Sequence, residues 1–254
     1  MLTIPQNIAF VIGTVVVAMG FIAILNRVWP WQDRRDHNDL IGWQLSVLGT
    51  TYAVILGFML YTVWTTFGAA DQNADLEADA VVNVYMLAEG LPEPQHTQMQ
   101  KLALAYADTV VSQDWPQMAK GLDPEQSVII NADMWRTLMS VHTASPTEIT
   151  AEDHALYELS ALTEHRRIRL LQSNSRLPGV LWWVLLAGGT LTIMSSCMFG
   201  SASAKLHALQ VFSFSLLIAL SLVAVADINR PFQGAIHVSD FAFRRAVDNM
   251  QSVR

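Results

Sequence analysis

Proton transfer and metal binding would fall to the seven histidines and 22 acidic residues of this 254-residue chain, and these are scattered. Only His37-Asn38-Asp39 and Glu164-His165 set an imidazole beside a carboxylate in sequence. A zinc site needs three or four such ligands, so neither cluster makes one. Interfacial capping and hydrogen bonding are the plainer uses, and His37-Asn38-Asp39 stands where a helix start expects acids and amides. The chain has no H-E-x-x-H, no G-x-S-x-G and no P-loop. With no nucleophile beside a base, an enzyme is not expected, nor is a cofactor or a metal. The one thiol, Cys197, has no intrachain disulfide partner and reads as a small packing residue.

Charge is more informative. Asp71, Asp75 and Asp79 recur at i, i+4 and i+8, a spacing at which like charges repel on one helical face. A solvated face is the ordinary outcome. In a symmetric assembly the stripe would repeat as acidic rings and attract cations. Asp227 and Arg230 stand three apart before a helix-ending Pro231, where they could pair or simply snorkel. Asp71–Arg176 holds 16 acidic and 7 basic residues, a net of −9 in a chain of net −7. Such a segment is a poor ligand for a phosphate backbone, so no nucleic-acid partner is expected.

These groups are set among four stretches without Asp, Glu, Lys or Arg: Met1–Asn26, Leu40–Ala70, Leu177–Ala204 and Leu206–Ala226. About 18 uncharged apolar residues suffice to cross a bilayer as a helix. The first stretch lacks a basic n-region and a small-residue cleavage site, so it reads as a retained span over about Ile8–Leu25. The expected fold class is an all-α integral membrane protein with four transmembrane helices in two pairs and an α-helical soluble domain between spans 2 and 3. The boundaries fall at 1–70 for spans 1 and 2, 71–176 for the acidic domain, 177–227 for spans 3 and 4, and 228–254 for a C-terminal tail.

Four spans place both termini and the insert on one side. Arg166, Arg167, Arg169, Arg176, Arg230, Arg244 and Arg245 flank the membrane there, against Arg27, Arg34, Arg35 and Lys205 on the other. The positive-inside rule then puts the insert and termini in the cytoplasm.

The insert reads as helices. The second span continues through Asp71–Ala88 and breaks at Leu91-Pro92-Glu93-Pro94. A second helix runs over about Gln95–Trp115. Asp123-Pro124-Glu125 predicts a helix start with Asp123 as N-cap, reaching about His142. Thr150-Ala151-Glu152-Asp153 resembles a capping box, and its helix runs toward Ser173.

Two faces of the second span stand out. Gly42, Ser46, Gly49, Ala53 and Gly57 form a small-residue stripe suited to helix packing. The other carries Thr51, Ile55, Phe58, Thr62 and Thr65, which would either line a pore, with a dewetting constriction at Ile55 and Phe58, or face lipid. On a straight helix the Asp stripe continues the small-residue face. Spacing leaves open which face looks inward.

Several segments resemble one family. They are His37-Asn38-Asp39 with Gly42, Gly49 before Tyr52-Ala53-Val54, Trp64, Glu77, Arg176-Leu177-Pro178 with Leu181-Trp182, and Asp227-Ile228-Asn229-Arg230-Pro231-Phe232-Gln233-Gly234 before Val238-Ser239. The chain is similar to the bestrophin-like membrane proteins of bacteria and plastids, over about Asn38 to Phe241. The family-motif residues are then His37, Asn38, Glu77, Asp227, Asn229, Arg230, Pro231, Phe232 and Gly234. The resemblance implies kinship with bestrophins, oligomeric anion channels of four spans per subunit with apolar constrictions on the second span. With the acidic stripe, this gives a homo-oligomeric channel of the bacterial inner membrane, with small inorganic ions, lipid and further copies of itself as partners. Asp71, Asp75 and Asp79 would line a cytoplasmic vestibule that favours cations slightly over anions. The competing reading is a membrane-anchored sensor or scaffold whose acidic domain binds a soluble partner.

Overall fold

The computed structural model describes residues 4–252; residues 1–3 and 253–254, the outer ends of the first and last expected segments, lie outside the described residues. The described residues form helices and loops and no strand. In chain order the helices are α1 (Ile4–Val28), α2 (Trp31–Arg35), α3 (Asn38–Leu87), α4 (Gln95–Thr109), α5 (Trp115–Ala119), α6 (Gln126–Leu138), α7 (Pro146–Ser173), α8 (Gly179–Cys197), α9 (Ala204–Ile228) and α10 (Phe241–Ser252). A 3-10 turn, Ala88–Gly90, ends α3, and a π-helical turn, Val110–Asp114, joins α4 to α5.

Four helices are long and apolar enough to cross a membrane: α1, α3, α8 and α9. The 50 residues of α3 would extend about 75 Å at 1.5 Å per residue. That is more than twice the roughly 30 Å hydrocarbon core, so α3 must continue well outside it. Its composition permits this, because no Pro or Gly interrupts Ala69–Leu87.

The chain divides into two compact units. Residues 1–65 and 176–229 form a span unit; residues 66–175 and 230–254 form an insert unit. In the span unit α1 lies chiefly along α9, and α8 packs on both. Ala18, Ile22, Cys197 and Val211 make a small core there, so Cys197 serves as a packing residue.

In the insert unit, small residues of α3, among them Ala70, Ala74 and Ala78, let larger side chains close over them. Met99, Tyr106, Leu138, Leu159 and Leu162 are fully buried, each contributing about 1.5–3 kcal/mol from lost water contact. The segment 228–254, which sequence sets apart as a tail, does not hang free over its described part. α10 buries Ala242, Phe243, Ala246 and Met250 and packs on α4 and the π turn. Its single apolar stripe among Arg and Asp is what an amphipathic helix needs for such docking.

Two expected helix starts are corrected. α6 begins at Gln126 with no side-chain cap, and Asp123 instead accepts a 2.7 Å hydrogen bond from Asn174 Nδ2. The capping box that opens α7 is Ser145 with Glu148, with Pro146 inside it. Thr150 lies within the helix and donates back to the Pro146 carbonyl at 2.9 Å. Ser145 wins because its extended backbone and following proline fit the cap position better than any residue of 150–153. α6 also stops at Leu138, short of His142.

Candidate functional site

Within the span unit the roll of α3 is set by Tyr52. Its ring is buried, 5% exposed, against the glycine pair Gly188-Gly189 of α8. A Cβ on Gly188 would stand 2.6 Å from Tyr52 Cδ2, and one on Gly189 would stand 3.0 Å from the Tyr52 hydroxyl. Close helix approach in this unit is therefore carried by the third span. Among the glycines of the small-residue stripe only Gly42 meets a neighbour, with its Cβ position 3.4 Å from Phe199, while Gly49 and Gly57 have nothing within 4 Å. Ser46, Ala53 and Gly57 are exposed, and Gly42 and Gly49 are half-buried.

At about 100° per residue, Thr51, Ile55, Phe58, Thr62 and Thr65 lie roughly 60–140° to one side of Tyr52. Gly42, Ser46, Gly49, Ala53 and Gly57 lie roughly 60–140° to the other. The two sequence stripes are thus the two flanks of one helix. Ile55 sits nearest the bundle and is half-buried, whereas Thr51, Phe58, Thr62 and Thr65 are exposed. Thr62 and Thr65 donate back to the Phe58 and Tyr61 carbonyls at 2.8 and 3.0 Å, which satisfies their hydroxyls on the helix itself. Farthest from Tyr52 are Trp43, Thr50, Val54 and Tyr61, with Phe58 beside them; Phe58 and Tyr61 are 64% and 67% exposed.

In the insert unit Asp71, Asp75 and Asp79 are all exposed. Desolvation, then the charges of Asp71 and Asp79, raise the Asp75 carboxyl above its ordinary pKa, with Arg245 pulling it back. Glu77 points the other way into a buried charge cluster that sequence did not reveal. Arg169 donates to Glu77 at 2.7 and 3.0 Å and to Asp114 at 3.0 Å, all three side chains fully buried. Tyr106 donates to Glu77 at 2.6 Å. The guanidinium lies 5.4 Å from the Trp115 ring and 6.0 Å from that of Phe243. Burial alone would lower the Arg169 pKa, but Glu77, with Tyr106 and Asp114, more than reverses this. Burial first, then Glu77, pushes the Tyr106 hydroxyl well above its ordinary value, so it remains a donor.

The motif residues take structural posts. Asn38 makes two 2.8 Å hydrogen bonds with the backbone of Gly200, whose missing Cβ would stand 2.4 Å from the Arg35 amide nitrogen. His37 is exposed, its ring 6.1 Å from Trp29. Asp227 accepts from Asn7 Nδ2 at 2.9 and 3.1 Å, joining α9 to α1. Asn229 Oδ1 accepts from the Leu177 amide at 2.9 Å. Arg230 donates to Gln233 at 3.2 Å. Phe232 packs edge-on against Trp115 at 5.5 Å, and Pro231 accepts from the Val238 amide. Gly234 adopts φ +100°, which a side chain would strain.

Sequence also missed Arg34. It is fully buried and donates to the Cys197 carbonyl at 2.9 Å and to Asn26 Oδ1, so it caps the C-terminus of α8. His207 reaches the neighbouring Ser196 carbonyl at 3.1 Å. Desolvation lowers the Arg34 pKa from its ordinary value. Among the described residues no group of three or more His, Cys, Asp or Glu side chains is placed to hold a metal.

A family model for the Bestrophin-like domain matches residues 12–243. Two crystal structures of a bacterial bestrophin homologue from Klebsiella pneumoniae, each carrying a point mutation, are similar in fold. One is 17% identical, with 97% of this chain and 99% of that chain covered and a TM-score of 0.67. The other is 16% identical, with the same coverage and a TM-score of 0.66. A further crystal structure, of a membrane protein, is 14% identical over 97% of this chain and 98% of that chain, with a TM-score of 0.66. No curated protein matches the sequence.

Proposed function

This chain belongs to the bestrophin-like family, and we propose that it assembles as a homo-oligomeric ion channel with α3 of each copy lining the pore. The observation that carries this reading is the roll of α3. One edge is wedged into α8 through Tyr52, and the opposite edge exposes a continuous row of apolar and hydroxylated side chains. Only 11% of the α3 span is buried, as for α1, against 33% for α8 and α9, so α3 leaves more surface for other copies than α8 or α9 does. In a ring with α8 behind it, the edge farthest from Tyr52 turns to the axis. Thr50, Val54, Phe58 and Tyr61 then meet the ion path, and the two flanks meet neighbouring copies. Of the Thr-bearing stripe, Phe58 and Thr65 stay toward the pore, while Thr51, Ile55 and Thr62 move toward the flank.

Val54 and Phe58 are one helical turn apart, and repeated around a ring they would make adjacent apolar constrictions, which gate by dewetting. Asp71, Asp75 and Asp79 share one exposed face of α3 at i, i+4 and i+8. Repeated around a ring they would form a vestibule that favours cations slightly over anions. Arg166, Arg169 and Arg34 are buried. Discounting them leaves Arg167, Arg176, Arg230, Arg244 and Arg245 against Arg27, Arg35 and Lys205. That bias still supports a cytoplasmic insert, in the inner membrane of a bacterium.

Ion flux into liposomes carrying the purified protein tests the reading. Flux above empty liposomes from particles larger than dimers supports it. A folded, oligomeric protein that moves no small ion would overturn it and leave the anchored scaffold.

A further inference from the structure

Six of the eight tryptophans stand near the ends of the spans, Trp29, Trp31 and Trp43 at one end and Trp64, Trp182 and Trp183 at the other. The two in the insert unit are used inside it. Trp115 is 7% exposed and donates to the Val238 carbonyl at 3.0 Å, and Trp135 donates to the Thr163 hydroxyl at 2.9 Å. The span tryptophans differ. Trp43, Trp64 and Trp183 are exposed, Trp183 by 76%, and the other three are half-buried. Among the described residues none of the six donates its ring N–H to the protein. A large ring left open, with its one donor unspent, suits a boundary that is apolar on one side and wet on the other.

Spacing shows that the two groups mark two levels a bilayer apart. On α3, Trp43 and Trp64 are 21 residues apart, about 31 Å along the helix. On α1, Asn7 and Arg27 bound an uncharged run and are 20 residues apart, about 30 Å. On α9, Lys205 and Asp227 bound another and are 22 residues apart, about 33 Å. Each length matches the roughly 30 Å hydrocarbon core. Asn7 and Asp227 are hydrogen-bonded at 2.9 Å, so α1 and α9 place their polar ends at one level. α8 runs between the same levels. Trp182 and Trp183 stand within one turn of its first residue, Gly179, and the carbonyl of its last, Cys197, meets Arg34 of α2, the short helix that Trp31 opens.

We infer that Trp29 and Trp31 hold one headgroup boundary of the bilayer and Trp182 and Trp183 the other. Hydrocarbon then covers about residues 8–26 of α1 and about residues 206–226 of α9, and leaves the Asn7–Asp227 pair at headgroup level. The partner is the lipid interface itself, with ring faces on the upper acyl chains and each N–H turned to headgroup or water. The assignment rests on α1, α2, α8 and α9 and holds whichever edge of α3 turns to the axis.

The test is quenching of tryptophan fluorescence in the full chain, reconstituted into vesicles of phosphatidylcholine brominated either high on the acyl chain or near its end. The shallow label should quench the wild type more strongly than the deep one. Trp29→Phe and Trp183→Phe should each remove roughly a sixth to a quarter of the shallow quenching, the share of one ring among the four to six at the boundaries. Trp135→Phe, in the insert, should remove none. Stronger quenching by the deep label overturns the inference by putting the rings in the hydrocarbon, and this comparison needs no variant. Shallow quenching unchanged in both Trp29→Phe and Trp183→Phe overturns it too, by placing these rings against protein, as a second copy covering α1 and α8 would.

Discussion

Arg169 and Glu77 meet through two hydrogen bonds of 2.7 and 3.0 Å, with both side chains wholly buried. The pair ties α3 to α7, and Asp114 and Tyr106 add the π turn and α4 to the same point. Removing one partner of a buried pair costs about 3–5 kcal/mol, because the other charge is left without compensation. Arg169→Met leaves both Glu77 and Asp114 buried and should lower the thermal stability of the purified protein by at least that range. Glu77→Gln keeps the shape and leaves Arg169 paired with Asp114, so its loss should be smaller. Equal losses would mean that Asp114 contributes nothing to holding the guanidinium.

Tyr52 makes a different kind of contact. Its ring fills the space over Gly188-Gly189, but its hydroxyl finds no hydrogen-bond partner among the described residues. The contact is steric, and a buried hydroxyl without a partner is a cost. Tyr52→Phe should therefore be neutral or slightly stabilising. Gly188→Ala forces the ring aside and should cost about 1–3 kcal/mol, the usual penalty for overpacking. Thermal unfolding in detergent reads both, and a destabilised Tyr52→Phe would reveal a polar role for the hydroxyl.

The four spans, the continuation of α3 and the helical insert were legible because uncharged length and Pro or Gly breaks act locally. Apart from the α7 cap, the corrections came from contacts made at long range. Nothing near Asp114 or Arg169 in sequence announces that they share a buried site with Glu77. Arg34 read as a linker cation because its partner, the Cys197 carbonyl, is 163 residues away. Glycine content marked the second span for close packing. It could not show that Gly49 and Gly57 face open space while Gly188-Gly189 takes the ring of Tyr52. The α7 cap is a local miss: Thr150–Asp153 is expected to cap, although Pro146 and Glu148 stand at the right spacing to make Ser145 the cap.

Asp75 gives a pH-dependent prediction. Its folded pKa is raised, first by desolvation and then by Asp71 and Asp79. Between the unfolded value, about 3.9, and the higher folded value, the native state binds more protons. Stability therefore falls as pH rises through that window. Asp75→Asn removes this cost. It should stabilise the protein at neutral pH by less than about 1 kcal/mol, since the site is exposed. The gain should vanish below the unfolded pKa. In liposomes the same variant should carry less cation current. Higher stability with unchanged current would keep the electrostatics and remove Asp75 from the ion path.

The roll of α3 separates Ile55 from Val54 and Phe58. Ile55 lies about 60° from Tyr52, toward the bundle, while Val54 and Phe58 lie about 160° and 120° away. If the outer edge faces the axis, shortening Val54 or Phe58 to Ala widens and wets the constriction, and flux should rise severalfold. Ile55→Ala should instead cost about 2–5 kcal/mol if it leaves a cavity, less here because Ile55 is only half-buried, and flux should change little. Flux and thermal stability measured on the same preparations separate the two effects. A rise in flux from Ile55→Ala, with none from Val54→Ala, would turn α3 by a quarter of its circumference and put the Thr-bearing flank at the axis.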